Sequence, residues 1–415
     1  MNAALLLLVC LLALDLAKSS LLSWLNARYM THPVPSVVAD VYDAGEYARQ
    51  QAYEKTNSRV GRISRLFDFC VALALLLTGA FGWYWGKCVG WLGSGYAAMS
   101  CFVATLCVAT SLLDAPFSYY STFVIEERFG FNRSTRRRFV ADAVKSTALS
   151  MVLTIGLTDL LYCIYSCAGS GLWLWGTVAC AAVMTFFTLF YSNLIVPLFN
   201  KQTPLPAGEL RTAIEAAAAS VNFNISNIYV IDGSKRSTKA NAYFTGFGAK
   251  KRIVLYDTLA DQLATRQIVA TLMHEVGHYR HYDIVKSLAA SIAQVAVYLY
   301  LFSLVLSSPA FSVALGYDGW SFILSLVAFG LLISPLDAVL SPVFNSYSRR
   351  CERAADAFAV RAGYGPDLVA GLKKLSAQSL SNLTPHPWVV WFEYSHPALA
   401  QRITAINSEI NKTNK

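Results

Sequence analysis

Seven apolar stretches, each long enough to cross a bilayer, constrain this chain more than any other feature. A membrane span needs about 20 mainly apolar residues. The stretches run from Ala3 to Leu25 and near 66–86, 93–113, 146–167, 171–198, 286–308 and 320–342. The first is interrupted by Asp15 and Lys18. It lacks a basic n-region and a small-residue cleavage site, so it reads as a retained helix rather than a signal peptide. Asp159 lies inside the fourth stretch and should therefore face protein or a wet cavity, not lipid. Composition agrees: 55% of residues are hydrophobic and only 14% charged, against about 25% charged in soluble domains.

The basic residues give this bundle a direction. The connection after the first stretch carries Arg28, Arg49, Lys55, Arg59, Arg62 and Arg65. The one after the third carries Arg128, Arg133, Arg136, Arg137, Arg138 and Lys145. The fifth-to-sixth connection and the C-terminal tail are also basic, whereas the remaining connections hold Lys87 or no basic residue. That alternation fits seven spans with the N-terminus outside and the C-terminus cytoplasmic. The net charge of +9 is then juxtamembrane charge. No Lys/Arg stripe is interleaved with aromatics, so no nucleic-acid partner is expected. The nine cysteines are odd in number and mostly apolar in setting (Cys70, Cys101, Cys107, Cys163, Cys180). They suggest neither a disulfide framework nor a Cys-zinc site.

Four regions follow: 1–198 with spans one to five, 199–285 as a cytoplasmic-side segment, 286–345 with spans six and seven, and 346–415 as a helical C-terminal segment. Within the second region, Glu209–Ser220 has a helical apolar pattern and Asn227–Ile231 reads as a short strand. Asn241–Phe244 and Arg252–Tyr256 read as paired strands joined by Gly246–Lys251. Asp257 and Thr258 offer a cap for a helix beginning near Leu259, and a second helix should run from about Gln267 through residue 278. Beyond the seventh span, Ser348–Ala362 reads as a helix ended by Gly363. Pro397–Asn411 reads as an amphipathic helix.

Chemistry enters with His274-Glu275-Val276-Gly277-His278. Histidines at i and i+4 project from one helical face. They can share one zinc ion while Glu275 reaches the attacking water. A hydrolytic zinc needs a third protein ligand and an open position. The residue six beyond His278 is Ile284, which cannot serve, and His281 is too close on the same helix. Among downstream acids, Asp318 falls on the far side and Asp337 within a span. Glu352 lies on the correct side, with Asp356 one turn further. Glu352 is thus the expected third ligand of a gluzincin-like site. Asp356 can accept a proton from the second nitrogen of a ligating histidine, as such histidines usually require.

The stretches Pro116–Asn132, His274–His278, Ser348–Phe358 and Ser395–Ile403 resemble the integral-membrane zinc endopeptidases that process CAAX prenyl proteins, and their bacterial relatives. The resemblance extends from about Tyr29 to Ile406. It implies a mainly α fold, a seven-helix bundle enclosing a large water-filled chamber, with a small β-sheet in the soluble part. It also implies one Zn2+ held by His274, His278 and Glu352, with Glu275 as catalytic acid–base and Asp356 behind the ligands. By the same resemblance Asn241, Ala242, Tyr243 and Phe244 form the edge strand that pairs with an extended substrate. His396 and Arg402 form a polar pair supporting the oxyanion or the substrate backbone. The implied partners are a peptide or prenylated-peptide substrate and the lipid bilayer of an endoplasmic reticulum or bacterial inner membrane, with the chain working as a monomer. A broad-specificity quality-control protease would use the same residues. A seven-span receptor or transporter would leave the histidine motif incidental.

Overall fold

Apolar segments of the expected kind build the first half of the chain. The computed structural model describes residues 2–223, 225, 227–245 and 252–413; the Gly246–Lys251 connection and the side chains of Phe244 and Thr245 lie outside the described residues. Helix α1 (Ala3–Tyr29) is capped by Asn2, whose side chain accepts from Leu5 N at 2.8 Å. Helix α2 (Ala44–Leu77) is capped in the same way by Asp43. The span expected as one unbroken stretch over 66–86 is in fact broken. After Thr78 and Gly79, helix α3 (Ala80–Leu92) departs at 62°. Gly79 takes φ +65°, a left-handed turn that glycine adopts without steric cost.

Helix α4 (Tyr96–Tyr120) ends in a π-helical turn, Ser121–Glu126, followed by α5 (Arg136–Ala168) and α6 (Leu172–Leu194). Asp159 on α5 accepts a 3.1 Å hydrogen bond from Ser100 on α4, so it faces protein, as an acid at this depth must.

A short helix α7 (Val196–Phe199) leads into the mixed region. There β1 (Gln202–Pro204), α8 (Glu209–Ser220), β2 (Ile228–Ile231), β3 (Ala242–Thr245) and β4 (Arg252–Tyr256) follow in order. The sheet order is β1-β2-β4-β3, with β2 and β4 parallel and both outer pairs antiparallel. Ala242 lies opposite Leu255, and Phe244 opposite Ile253. The two strands expected to pair therefore do so, and β3 is an edge. Helix α9 (Asp257–Gln262) begins at the expected cap itself, and α10 (Thr265–Arg280) carries the histidine motif. Its inner face packs Ile268, Val269, Leu272, Met273 and Val276 into a core shared with α8 and the sheet.

Helix α11 (Asp283–Leu306) packs along α6, and α12 (Ala310–Ala314) and α13 (Phe322–Leu332) follow. The last apolar stretch is also bent, by 52°, where α13 meets α14 (Ser334–Ala359). The helix expected to start at Ser348 thus starts at Ser334 and runs unbroken through Pro342. Gly363, with φ +86°, marks the kink before α15 (Gly365–Gln378). Helices α16 (Pro387–Glu393) and α17 (Leu399–Thr413) complete the chain.

By length and composition four helical segments among the described residues can cross a membrane, and six if each bent pair is one span. That measure stops short of the expected seven. One of the four, 136–199, consists of α5, α6 and α7. A Cβ on Gly176 would lie 3.3 Å from Leu161 Cδ2, positions that a single straight helix would hold about 22 Å apart. The segment therefore doubles back at Gly169–Gly171.

Candidate metal centre

Helix α10 presents His274 and His278 on one face, their Nε2 atoms 3.1 Å apart. Glu352 reaches them from α14. Its Oε2 lies 3.5 Å from His274 Nε2 and its Oε1 3.3 Å from His278 Nε2. One ligand atom from each of the three residues falls within 4.8 Å of the others. Gly277 makes this approach feasible: a Cβ there would meet Ala355 Cα at 2.9 Å and Phe358 Cβ at 3.1 Å. The bare glycine lets the backbones of α10 and α14 lie against each other.

Behind each imidazole stands a carboxylate. His274 Nδ1 donates to Asp356 Oδ1 at 2.8 Å. His278 Nδ1 donates to Asp283 Oδ2 at 2.9 Å. Asp356 is held in turn by Arg402 of α17, whose Nε and Nη2 each donate at 2.7 Å. His396, between α16 and α17, puts Nε2 3.2 Å from Glu352 Oε1 while its side chain stays 62% exposed. The loop that carries it is fastened to α14: Arg349 donates to Val390 O at 3.0 Å and to Tyr394 O at 2.6 Å. Glu275 is half-buried on α10, and its charge helps raise the pKa of both His278 and Arg402.

The donor set fits zinc on two counts. Two imidazole nitrogens and one carboxylate form the three-ligand pattern of catalytic sites. In addition, Glu352 Oε2 is buried and accepts no hydrogen bond of ordinary geometry, with His274 Nε2 and Arg402 Nη2 each 3.5 Å away, so it keeps a lone pair for a cation. The electrostatics agree. Burial opposes a charge on His278, but its hydrogen bonds to Glu352 and Asp283 outweigh that and push its pKa up to about 9. Burial would likewise raise Glu352, yet the bonds to His274 and His278 hold it well below the usual carboxylate range. A site that attracts protons this strongly attracts a divalent cation for the same reason.

All the residues singled out from the sequence for the metal site converge here. Of the acids set aside, Asp337 bonds instead to Tyr298. His281 packs edge-on against Phe358 at 6.4 Å, outside the cluster. Sequence reasoning missed Asp283. Its signal is faint: an acid five residues past the second histidine, brought back because Tyr282 takes φ +57°.

Asn241 is exposed and leads into β3, whose one sheet neighbour among the described residues is β4. Asn241 and Tyr243 line a cavity of about 610 Å³ beside α6. On the other side, Asn241 and His396 line one of about 480 Å³, and His396 with Arg402 line a third of about 560 Å³. A larger cavity of about 840 Å³ lies among the hydroxyl-bearing faces of α4 and α5.

A helical membrane bundle with a small mixed sheet, and a His-Glu-x-x-His helix closed by a distant glutamate, defines the class of membrane-embedded zinc metallopeptidases. Comparison with known proteins makes this particular. Residues 24–201 match the family model described as CAAX prenyl protease N-terminal, five membrane helices, and residues 204–410 match that of peptidase family M48. The chain is 34% identical to CAAX prenyl protease 1 homolog of Arabidopsis thaliana, covering 94% of this chain and 95% of that one. It is 31% identical to CAAX prenyl protease 1 of Saccharomyces cerevisiae, over 90% and 88% of the two chains. The crystal structure of S. mikatae Ste24p superposes with a TM-score of 0.93 at 29% identity, covering 98% of this chain and all of that one. The chain belongs to peptidase family M48, whose enzymes depend on zinc. The reading as a receptor or transporter falls away.

Proposed function

We propose that this chain hydrolyses peptide bonds near the carboxyl terminus of prenylated, CAAX-type peptides. The observation that carries the reading is the meeting of His274, His278 and Glu352 beside a free sheet edge, in a chain alike over nearly its full length to CAAX prenyl proteases. His274, His278 and Glu352 would hold one zinc ion. Zinc, when bound, supplies a Lewis acid that polarises the scissile carbonyl and makes water acidic enough to attack near neutral pH.

The protein's own groups do the rest. Asn241, Ala242, Tyr243 and Phe244 offer backbone groups to an extended peptide. Glu275 takes a proton from the attacking water and delivers it to the leaving amine. Asp356 holds His274 in the tautomer that frees Nε2. Arg402 is already engaged twice by Asp356, so exposed His396 is the better placed of the pair to meet the developing oxyanion. One such donor is worth about 2.7–4 kcal/mol. Seven spans, a four-region division at 198, 285 and 345, a cytoplasmic-side centre and action as a monomer in the bilayer complete the proposal. The alternating basic connections support that sidedness.

Replacing Glu275 by Gln should leave zinc content unchanged and abolish nearly all cleavage. Near-normal activity would remove Glu275 as the base. Substrate class is tested by offering a farnesylated CAAX peptide and an unprenylated misfolded membrane protein, each with and without chelator. Equal chelator-sensitive cleavage of both would favour a quality-control protease.

A further inference from the structure

Three residues before β3 begins, Lys239 is gripped by groups from the other half of the chain. Its Nζ lies 2.9 Å from Glu126 Oε2 and donates to the Tyr53 hydroxyl at 2.9 Å, while that hydroxyl donates to Glu126 Oε1 at 2.5 Å. The ammonium also sits 4.6 Å from the Phe131 ring centroid and 5.3 Å from that of Tyr53, close enough for cation–π attraction. Tyr53 packs edge-on against Phe129 and Phe131, at 5.0 and 5.4 Å. Burial alone would lower the pKa of Lys239, but its bonds to Tyr53 and Glu126 raise it, so the side chain stays charged.

The backbone around Lys239 is tied at several further points. Thr238 N donates to Phe131 O at 3.0 Å, and Thr258 Oγ1 donates to Lys239 O at 3.1 Å. Glu126 O accepts from Phe131 N and Asn132 N at 2.7 and 3.2 Å. The partners come from α2, from the π-helical turn after α4, and from the lead-in to β3. The first two lie in the N-terminal region 24–201 and the third in the peptidase region 204–410. Tyr53 and Lys239 each line a cavity that His396 also lines.

We propose that Lys239 is a positioning residue: clamped by Glu126 and Tyr53, it fixes β3 against the membrane helices so that the free edge meets the peptide in register with the metal centre. This rests on the reading of β3 as the substrate edge. Among the described residues β3 pairs with β4 alone, and of the ties at its start the Lys239 ion pair is the charged one that reaches both α2 and the π-helical turn. A displaced edge weakens peptide binding before it weakens chemistry.

The experiment measures KM, kcat and zinc content for full-length protein in detergent, using a farnesylated CAAX peptide. Lys239→Met should raise KM about tenfold or more, the scale of one lost bond to a charged group, with kcat and zinc nearly unchanged. Lys239→Arg should restore KM, and exchanging the charges (Lys239→Glu with Glu126→Lys) should recover much of what Lys239→Glu alone loses. Should Lys239→Met fold poorly, Glu126→Gln is read in its place, with the same direction expected. Unchanged KM in the folded variant, or a loss confined to kcat or zinc, overturns the proposal. A parallel arm offers the wild type peptides N-methylated at successive positions. If none weakens binding, the edge-strand reading itself fails, and the clamp's role fails with it. If N-methylation hurts but Lys239→Met does not, only the clamp is refuted.

Discussion

His278 cannot turn its Nε2 towards a metal unless its Nδ1 keeps the proton, and the acceptor that secures this is Asp283 at 2.9 Å. His274 has the matching arrangement with Asp356. Loss of such a supporting acceptor typically lowers metal affinity about 10–100-fold. Asp283→Ala should therefore release zinc to a competing chelator about that much more readily, whereas Asp283→Asn, which keeps an acceptor oxygen, should lose less. An unchanged affinity in Asp283→Ala would detach this residue from the centre. The contrast between the two acids explains what could be read from residues alone. Asp356 stands one helical turn from Glu352, so its role followed from spacing. Asp283 reaches His278 through the left-handed backbone at Tyr282, a conformation rare for a bulky residue and written in no periodicity.

At the scale of elements, the centre depends on how closely α10 and α14 approach, and Gly277 sets that distance. The atoms a Cβ would strike include Ala355 Cα at 2.9 Å, which is backbone and cannot swing aside. Gly277→Ala should push α14 outward at a cost of about 1–3 kcal/mol. Glu352, three residues before Ala355, moves with it, so zinc content should fall along with thermal stability. A variant with full zinc and an unshifted melting curve would contradict this. Helices α8, α10 and α17 and strands β2 to β4 were legible because each pairs a clear apolar rhythm with local turn chemistry. The breaks at Gly79 and near Ile333 were not, since an apolar window measures composition and ignores backbone direction. The join of α3 to the turn at Gly316 shows why: a Cβ on Gly82 would lie 2.2 Å from Gly316 C. Such a contact between distant glycines leaves no trace in hydropathy.

Across the whole molecule, the ligands come from α10 and α14, and Arg402 of α17 is tied to Asp356 behind them. The metal would therefore join α10 to α14 directly and α17 through Asp356, with no ligand from the N-terminal membrane helices among the described residues. Membrane character was plain from the deficit of charge, but the packing of α6 on α11 and of α4 on α5 was not, because lipid-facing and helix-facing apolar residues read alike. Zinc at about 100 times its dissociation constant should add about 2.7 kcal/mol to the stability of whatever unfolds with the site. Stripping zinc with a chelator should speed hydrogen exchange in α10, α14 and α17 and leave α1 to α6 as they were. Glu352→Gln should show the faster exchange already, with no further response to chelator. Loss of protection spread evenly over the membrane helices would mean that the two halves unfold as one unit, and that the metal stabilises the molecule through more than the helices it joins.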